Sequence, residues 1–427
     1  MNNIIAENME VFTGNAQPKS FANGDFHIIP SFGNTGVVET GEGLVIFDIG
    51  LRQFGRKLFE RIRTISNKPI RYILYSHGHF DHAFGFKYII NEVKEKGWEM
   101  PEVIAHVNCV KRFEKYKILG DYHIWLNSQQ FSSIVSDKTK ILQTDTLDPT
   151  IKIRDGEPYT FKLGKYSFEV YPEWGETDDA IWMYCPEQKV IFAGDCMVST
   201  FPNVGNPYKV QRYPKQWAYA MEHMLEKNAE YLIPGHGKLI KDKNELNDIL
   251  SIYAEVMHFV HDEVVKRLNQ GKWFEQIYHE MINIFPEKFK NHPYLLPLYG
   301  CYRFAIHSAY RLYHGWYNTG NPTDLFPAKK NDIARELLNI LGSESEKLYI
   351  EHATKLMDKG KLQLALHILD VIINGVNESK GDILLEALKL KESILKQKAD
   401  KETSFIGVNI LKNGANTIKN RIRKLKK

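Results

Sequence analysis

The absences in this 427-residue sequence narrow it before any motif does. Cysteine is scarce. There are four, Cys109, Cys185, Cys196 and Cys301, with no Cys-x-x-Cys pair among them. So few, widely spaced thiols cannot staple a chain of this length, and reduced cysteines in a cytoplasmic setting are expected. Cys185 and Cys196 are near enough in sequence to bridge, but both lie in apolar strand-like runs and are read as buried free thiols. No stretch approaches the roughly 18 consecutive apolar residues of a spanning helix, so no membrane span is expected. An excess of one charge is also missing. Lys and Arg number 56 against 52 Asp and Glu, a net +4, which argues against a basic face for nucleic acid. The first ten residues carry Glu7 and Glu10 and no basic-then-apolar leader, so a secretory signal is not expected.

What is present is a chain able to build a core, with 43% hydrophobic residues and length for two or three domains at about 150 residues each. To about residue 240 it reads as short strands with helices between some of them. Val37–Thr40 and Leu44–Asp48 flank a glycine-containing turn and predict a hairpin. Arg56–Ile65 has helical spacing, and Tyr72–Tyr75 is a short apolar run of the kind that makes a buried strand. Runs at 103–106, 166–171, 181–184, 190–193 and 231–233 continue the pattern, which predicts an α/β domain with its sheets covered by helices.

After Gly237 the character becomes helical. Asn244 is a candidate cap for a helix carrying Leu246, Ile249, Leu250, Tyr253, Met257, Val260 and Val264, with Gly271 as its stop. From Glu344 two apolar stripes, Ala365–Ile373 and Ile383–Leu395, predict antiparallel helix pairs of tetratricopeptide-like style. The expected division is a catalytic domain over 1–243, a helical domain over 244–400 and a basic tail over 401–427. The tail is expected to be solvated or frayed.

The informative segment is Ser76-His77-Gly78-His79-Phe80-Asp81-His82, directly after a strand. Three imidazoles and a carboxylate crowded at one strand end lack partners unless something satisfies them. A divalent cation does so, and nitrogen with carboxylate oxygen suits Zn, Fe or Mn.

This run resembles the signature of the metallo-β-lactamase superfamily, whose fold is an αβ/βα sandwich with two metals at one edge. Further elements match in the family's order: Phe47-Asp48-Ile49-Gly50, Gly175-Glu176-Thr177-Asp178-Asp179, Val190–Asp195 and Ile233-Pro234-Gly235-His236-Gly237. The resemblance implies one metal on His77, His79 and Glu176, a second on Asp81, His82 and His236, and Asp195 between the two. Glu176 stands where the family commonly has His, with Glu173 and Asp178 as neighbouring competitors. The extra negative charge favours harder cations.

The second half is similar to the helical dimerisation domain of type III alkyl sulfatases. The stretch that carries the similarity is Tyr299-Gly300, Tyr310, Tyr313 and Gly315-Trp316-Tyr317-Asn318-Thr319-Gly320-Asn321-Pro322. Thr319 is an insertion in it, Asn318 stands for Asp, and Asp195 stands where the well-known alkyl sulfatases use Glu. The expectation is a homodimeric hydrolase of small-molecule alkyl sulfate esters using a metal-bridged hydroxide. The two divalent ions are expected to be Zn2+, with Mn2+ or Fe2+ as alternatives. Asp81 and His123 are expected in catalysis, and Tyr299, Arg303, Arg311 and Trp125 in substrate binding. Tyr122, Trp125 and Phe131 suggest a lid or loop. A lactonase or glyoxalase-II-like thioesterase would use the same metals on an acyl substrate and is the alternative reading.

Overall fold

A computed structural model describes residues 17–131, 145–342, 345–377 and 381–426. The chain forms two compact units, Met1–Ile124 with Thr139–Gly315, and Trp125–Lys138 with Trp316–Lys427.

The first unit holds two sheets. One has seven strands in the order β1 (Lys19–Phe21), β2 (Phe26–Ile29), β3 (Thr35–Glu39), β4 (Leu44–Phe47), β5 (Ile70–Leu74), β6 (Glu102–His106) and β7 (Ile151–Ile153). The predicted hairpin is the antiparallel β3–β4 pair, while β4 to β7 run parallel. The second sheet has the order β12 (Tyr231–His236), β11 (Val190–Val198), β10 (Trp182–Cys185), β9 (Tyr166–Tyr171) and β8 (Tyr159–Leu163). Its strands are antiparallel except for the parallel β11–β12 pair.

Alternation along the strands builds the layers. Val45, Phe47, Leu74 and Ile104 of the first sheet meet Phe168, Val170, Met183 and Phe192 of the second in one buried cluster. The opposite faces turn outward. Leu44, Ile46, Ile73 and Val103 pack with Leu58, Ile62, Ile89 and Phe113 from three helices. Trp182, Ile191 and Ala193 pack with Trp217 and Met221 of the helix Pro214–Glu226. The result is an αβ/βα sandwich.

The division differs from the boundary expected at 243/244. The helix Lys243–Leu268 places Leu246, Ile249, Leu250, Tyr253 and Met257 in the same cluster as Trp182 and Ile191, so it is an outer layer of the sandwich. Its cap is Asp242 rather than Asn244, the carboxylate accepting the Glu245 amide at 2.8 Å. Residues 120–130 form a helix, Gly120–Gln130, where a lid or loop was expected. Both Cys185 and Cys196 are buried free thiols, as are Cys109 and Cys301.

The second unit is helical: Lys330–Leu341, Ser345–Asp358, Leu362–Gly375, Gly381–Lys401 and Phe405–Leu425. The two expected stripes supply its core, with Leu369, Ile372, Leu384, Leu388 and Ile394 fully buried. The expected basic tail is instead the last helix. Ala415 and Ile422 are buried in that core, and Ser404 caps the helix by accepting the Gly407 amide. Asn409 and Asn413 donate to the Gln130 and Gln129 carbonyls at 2.7 and 2.8 Å, satisfying chain-end acceptors that a helix leaves open. Among the described residues no helix is long and apolar enough to cross a membrane.

Candidate metal centre

The site lies at the ends of β4, β5, β9 and β12 and along the irregular stretch of β11 that bears Asp195. Leaving β4, the backbone takes a positive φ of 63° at Asp48, an uncommon conformation that an Asp tolerates better than most residues. This turn aims the carboxylate across the sheet. One oxygen accepts the Ser76 amide at 2.7 Å, and the other lies 2.7 Å from Nδ1 of His82. Ser76 in turn accepts the Ile181 amide at 2.7 Å, a backbone link from the first sheet to the second.

The loop after β5 delivers the histidines. His79 immediately precedes the short helix Phe80–Ala83, which carries Asp81 and His82. Two groups of converging ligand atoms result: His77, His79, Glu176 and Asp195, and Asp81, His82 and His236. Within each group these atoms lie within 4.8 Å of one another. Glu176 Oε2 is 3.3 Å from His79 Nδ1 and 3.6 Å from His77 Nε2. Asp81 Oδ2 is 3.3 Å from His236 Nε2 and 3.6 Å from His82 Nε2. Asp195 faces both groups, with Oδ2 3.8 Å from His77 and Oδ1 3.3 Å from both His82 and His236. Of the competitors for the Glu176 place, Glu173 is occupied by His223 and Trp182, and Asp178 by Arg112.

These donors fit a divalent cation. His82 Nε2 and Asp195 Oδ1 are buried and make no hydrogen bond, so the protein itself leaves both unsatisfied. Burial carries His77 down to about 3, keeping its nitrogens available as neutral ligands, and it also lowers His79. Burial would raise Glu176, but Arg212 and His79 hold it at about 2. Burial likewise opposes the charged form of His236, yet Asp195 and Asp81 carry it to about 10, a measure of the negative field there.

Backbone clearance is tight. A Cβ on Gly235 would fall 2.0 Å from Asp195 Oδ1, and one on Gly33 would fall 2.3 Å from the Asp81 carbonyl oxygen. Only glycine allows these approaches.

Several residues escaped the sequence reading. Arg212, buried, donates to the Glu176 carbonyl and keeps its other arm 3.4 Å from Oε1 of the same residue. Asn203 also donates to that carboxylate. Lys209 is within electrostatic reach of Arg212, Glu176 and Asp81, and burial with Arg212 lowers it to about 8. Asn34 donates to the Pro234 and Gly237 carbonyls at 2.9 Å each, bracing the turn that bears His236. The signal available was the polar run Asn203–Arg212, which follows directly on the strand of Asp195.

The substrate-side expectations divide. Tyr299 lies within the field of Glu176, Asp81 and Asp195, and Arg303 is half-buried on the first turn of the helix Tyr302–Tyr313. Arg311 is exposed and donates to the Gly315 carbonyl two residues beyond that helix, outside the buried cluster. Trp125 is half-exposed and belongs to the second unit. His123 is buried against Tyr116, and burial with Lys209 and Lys115 lowers it to about 4. Burial and the two lysines thus disfavour the protonated ring that a proton donor requires.

The four-layered sandwich gathers at one edge histidine and carboxylate groups able to hold metal ions. Two family models account for most of the chain: the metallo-beta-lactamase superfamily over residues 28–236 and alkyl sulfatase dimerisation over 274–421. The first half of the chain is thus similar to the metallo-β-lactamase superfamily and the second half to the alkyl sulfatase dimerisation region. It is similar to a linear primary-alkylsulfatase of Pseudomonas sp. (strain ATCC 19151), 26% identical over 327 residues covering 73% of this chain and 61% of that protein. It is also similar to an alkyl/aryl-sulfatase of Saccharomyces cerevisiae, 24% identical over 389 residues covering 83% of this chain and 57% of the relative. The fold matches the stereoselective inverting sec-alkylsulfatase Pisa1 from Pseudomonas sp. with a TM-score of 0.80 at 18% identity, covering 95% of this chain and 66% of that one. The chain thus spans 61% and 57% of the length of these two curated relatives.

Proposed function

We propose that the protein is a metal-dependent hydrolase that cleaves alkyl sulfate esters to alcohol and sulfate. The observation that carries this reading is the pair of donor groups sharing Asp195, set beside Arg212, Asn203, Lys209 and Tyr299. His77, His79 and Glu176 would hold one divalent ion, Asp81, His82 and His236 a second, and Asp195 both. Zn2+ is the first choice, and the hard carboxylates leave room for Mn2+ or Fe2+. Such ions supply Lewis acidity towards the ester oxygens and lower the pKa of a water.

The remaining work falls to the chain. Lys209 and Tyr299 offer donors suited to a monoanionic sulfate group, and Arg303 stands in the matching stretch as a further candidate. Arg212 and Asn203 restrain the Glu176 carboxylate, so that its other oxygen stays turned towards His79. Asp81 is held ionised against burial by His82 and His236, which suits it to serve as a ligand rather than as an acid. His123 is a further candidate for proton delivery, provided the bound ester offsets the lowering by burial. The dimerisation region supports a homodimer, and the four free buried thiols support a cytoplasmic setting.

The test is release of free sulfate from a panel of primary and secondary alkyl sulfates by Zn2+- and Mn2+-loaded protein, with His79→Ala as control. Turnover that the control abolishes is the expected result. Metal uptake without sulfate release, accompanied by hydrolysis of lactones or thioesters, would overturn the sulfatase reading in favour of an acyl hydrolase.

A further inference from the structure

Arg112 and Asp179 form a buried ion pair that none of the proposed chemistry uses. Arg112 sits on the helix Val107–Ile118 and is 9% exposed, whereas Asp179 is fully buried. Arg112 Nε donates to both Asp179 oxygens at 3.0 and 2.9 Å, and Nη2 lies 2.8 Å from Oδ1. The same Nη2 donates to Asp178 at 2.8 Å. Asp179 Oδ2 also accepts the backbone N–H of Gly78 at 2.9 Å.

Gly78 is the residue between His77 and His79, and Asp179 lies three residues beyond Glu176. One guanidinium–carboxylate pair therefore ties the histidine turn after β5 to the carboxylate turn after β9. The space around it is full. A Cβ on Gly78 would meet Cys109 Sγ at 3.0 Å, Asp179 Oδ2 at 3.1 Å and Arg112 Cδ at 3.2 Å. Asn108, on the same helix as Arg112, donates to the Asp178 carbonyl at 3.1 Å and fixes the second turn again. A planar fork with several bonds sets orientation as well as distance, which a point charge does not.

The second donor group is braced by other residues. Asp48 holds His82, and Asn34 holds the turn of His236. Neither contact involves Arg112 or Asp179. The two groups share Ser76, whose hydroxyl lies 3.0 Å from His77 Nδ1 and 3.3 Å from His82 Nδ1, but the guanidinium–carboxylate brace acts on the first alone.

We propose that the Arg112–Asp179 pair is a positioning device for the His77–His79–Glu176 group, setting the cation affinity of that group while leaving the Asp81–His82–His236 group largely untouched. The inference rests on the metal-hydrolase reading above. Its electrostatic side points the same way. Arg112 bears a permanent positive charge beside a cation site, and the Asp179 carboxylate cancels it. Removing that carboxylate leaves the guanidinium compensated only by the more exposed Asp178, beside the incoming ion.

The experiment titrates Co2+ into the full chain, Arg112→Lys and Asp179→Asn. It reads the equivalents bound, the two dissociation constants, the visible absorption of the bound Co2+ and the melting of the metal-free protein. Arg112→Lys keeps the charge and loses the fork. The expected result is one equivalent of unchanged affinity and one weakened by about 10- to 100-fold, with an altered spectrum for the weakened equivalent. Asp179→Asn should weaken the same equivalent further, and it carries the test alone should Arg112→Lys fail to fold. Unchanged binding overturns the inference, as does equal weakening of both equivalents in step with lower metal-free melting, the mark of a general brace. A wild-type chain that takes up no Co2+ would sink the metal reading itself, and this inference with it.

Discussion

Nδ1 of His82 lies 2.7 Å from the carboxylate of Asp48, a residue 34 positions earlier at the end of the neighbouring strand. That bond commits the other ring nitrogen, Nε2, to face Asp195 and Asp81. Asp48→Asn keeps the size and tolerates the positive φ, but presents an amide where His82 needs an acceptor. Sulfate release should fall by about 10- to 100-fold with the far-ultraviolet dichroism unchanged. Activity within twofold of wild type would mean that the ring is oriented by packing alone.

Gly235→Ala tests how closely the strand bearing His236 must approach Asp195. The added methyl would sit 2.0 Å from Asp195 Oδ1 and 2.6 Å from the Gly194 carbonyl carbon, so backbone has to move. A displacement near 1 Å costs on the order of 100-fold in rate. The measurement is turnover beside metal content, and both should drop together.

Lys209→Met removes a cation that lies within reach of Glu176 and Arg212. A charge-assisted bond to the ester sulfate is worth about 1.5–3 kcal/mol, which is roughly 10- to 100-fold in KM. The expected pattern is a raised KM with kcat changed far less, read from saturation curves on one alkyl sulfate. A fall in kcat alone would show that Lys209 does not touch the bound ester.

Ile422→Ala probes the last helix, where Ile422 is buried in the core of the second unit. Deleting an aliphatic side chain from such a site costs about 2–5 kcal/mol. Denaturant unfolding should show the second unit weakened, with metal content unaffected. No change in stability would return this segment to the status of a loose tail.

The sequence disclosed what local pattern can carry. His77 to His82 stand in one run, and Pro234-Gly235-His236 is a short motif, so the donor groups were visible before the fold. The Arg112–Asp179 pair was not, because its partners are 67 residues apart and Arg112 stands in no motif. The unit boundary misled for a physical reason. A shift from strands to helices looks like a new domain, yet the helix from Lys243 buries Leu246 and Ile249 against the strands before it. The final helix was hidden by its own lysines and arginines, which mask the spacing of Ile406, Ala415 and Ile422. His123 was read for its chemistry alone, and its burial beside Lys209 and Lys115 decides its charge.

His77, His79, Asp81 and His82 follow a strand of one sheet, while Glu176, Asp195 and His236 belong to the other. Neither sheet alone presents either complete donor group. An ion can therefore be captured only after the two halves of the sandwich have docked, late in assembly, when contacts distant in sequence have closed. Once captured it acts as a latch across the seam. It should leave the folding rate almost untouched and slow unfolding, since interactions absent from the transition state act on the unfolding limb. The lifetime of the folded protein would then be governed by the supply of the ion as much as by the core beneath it.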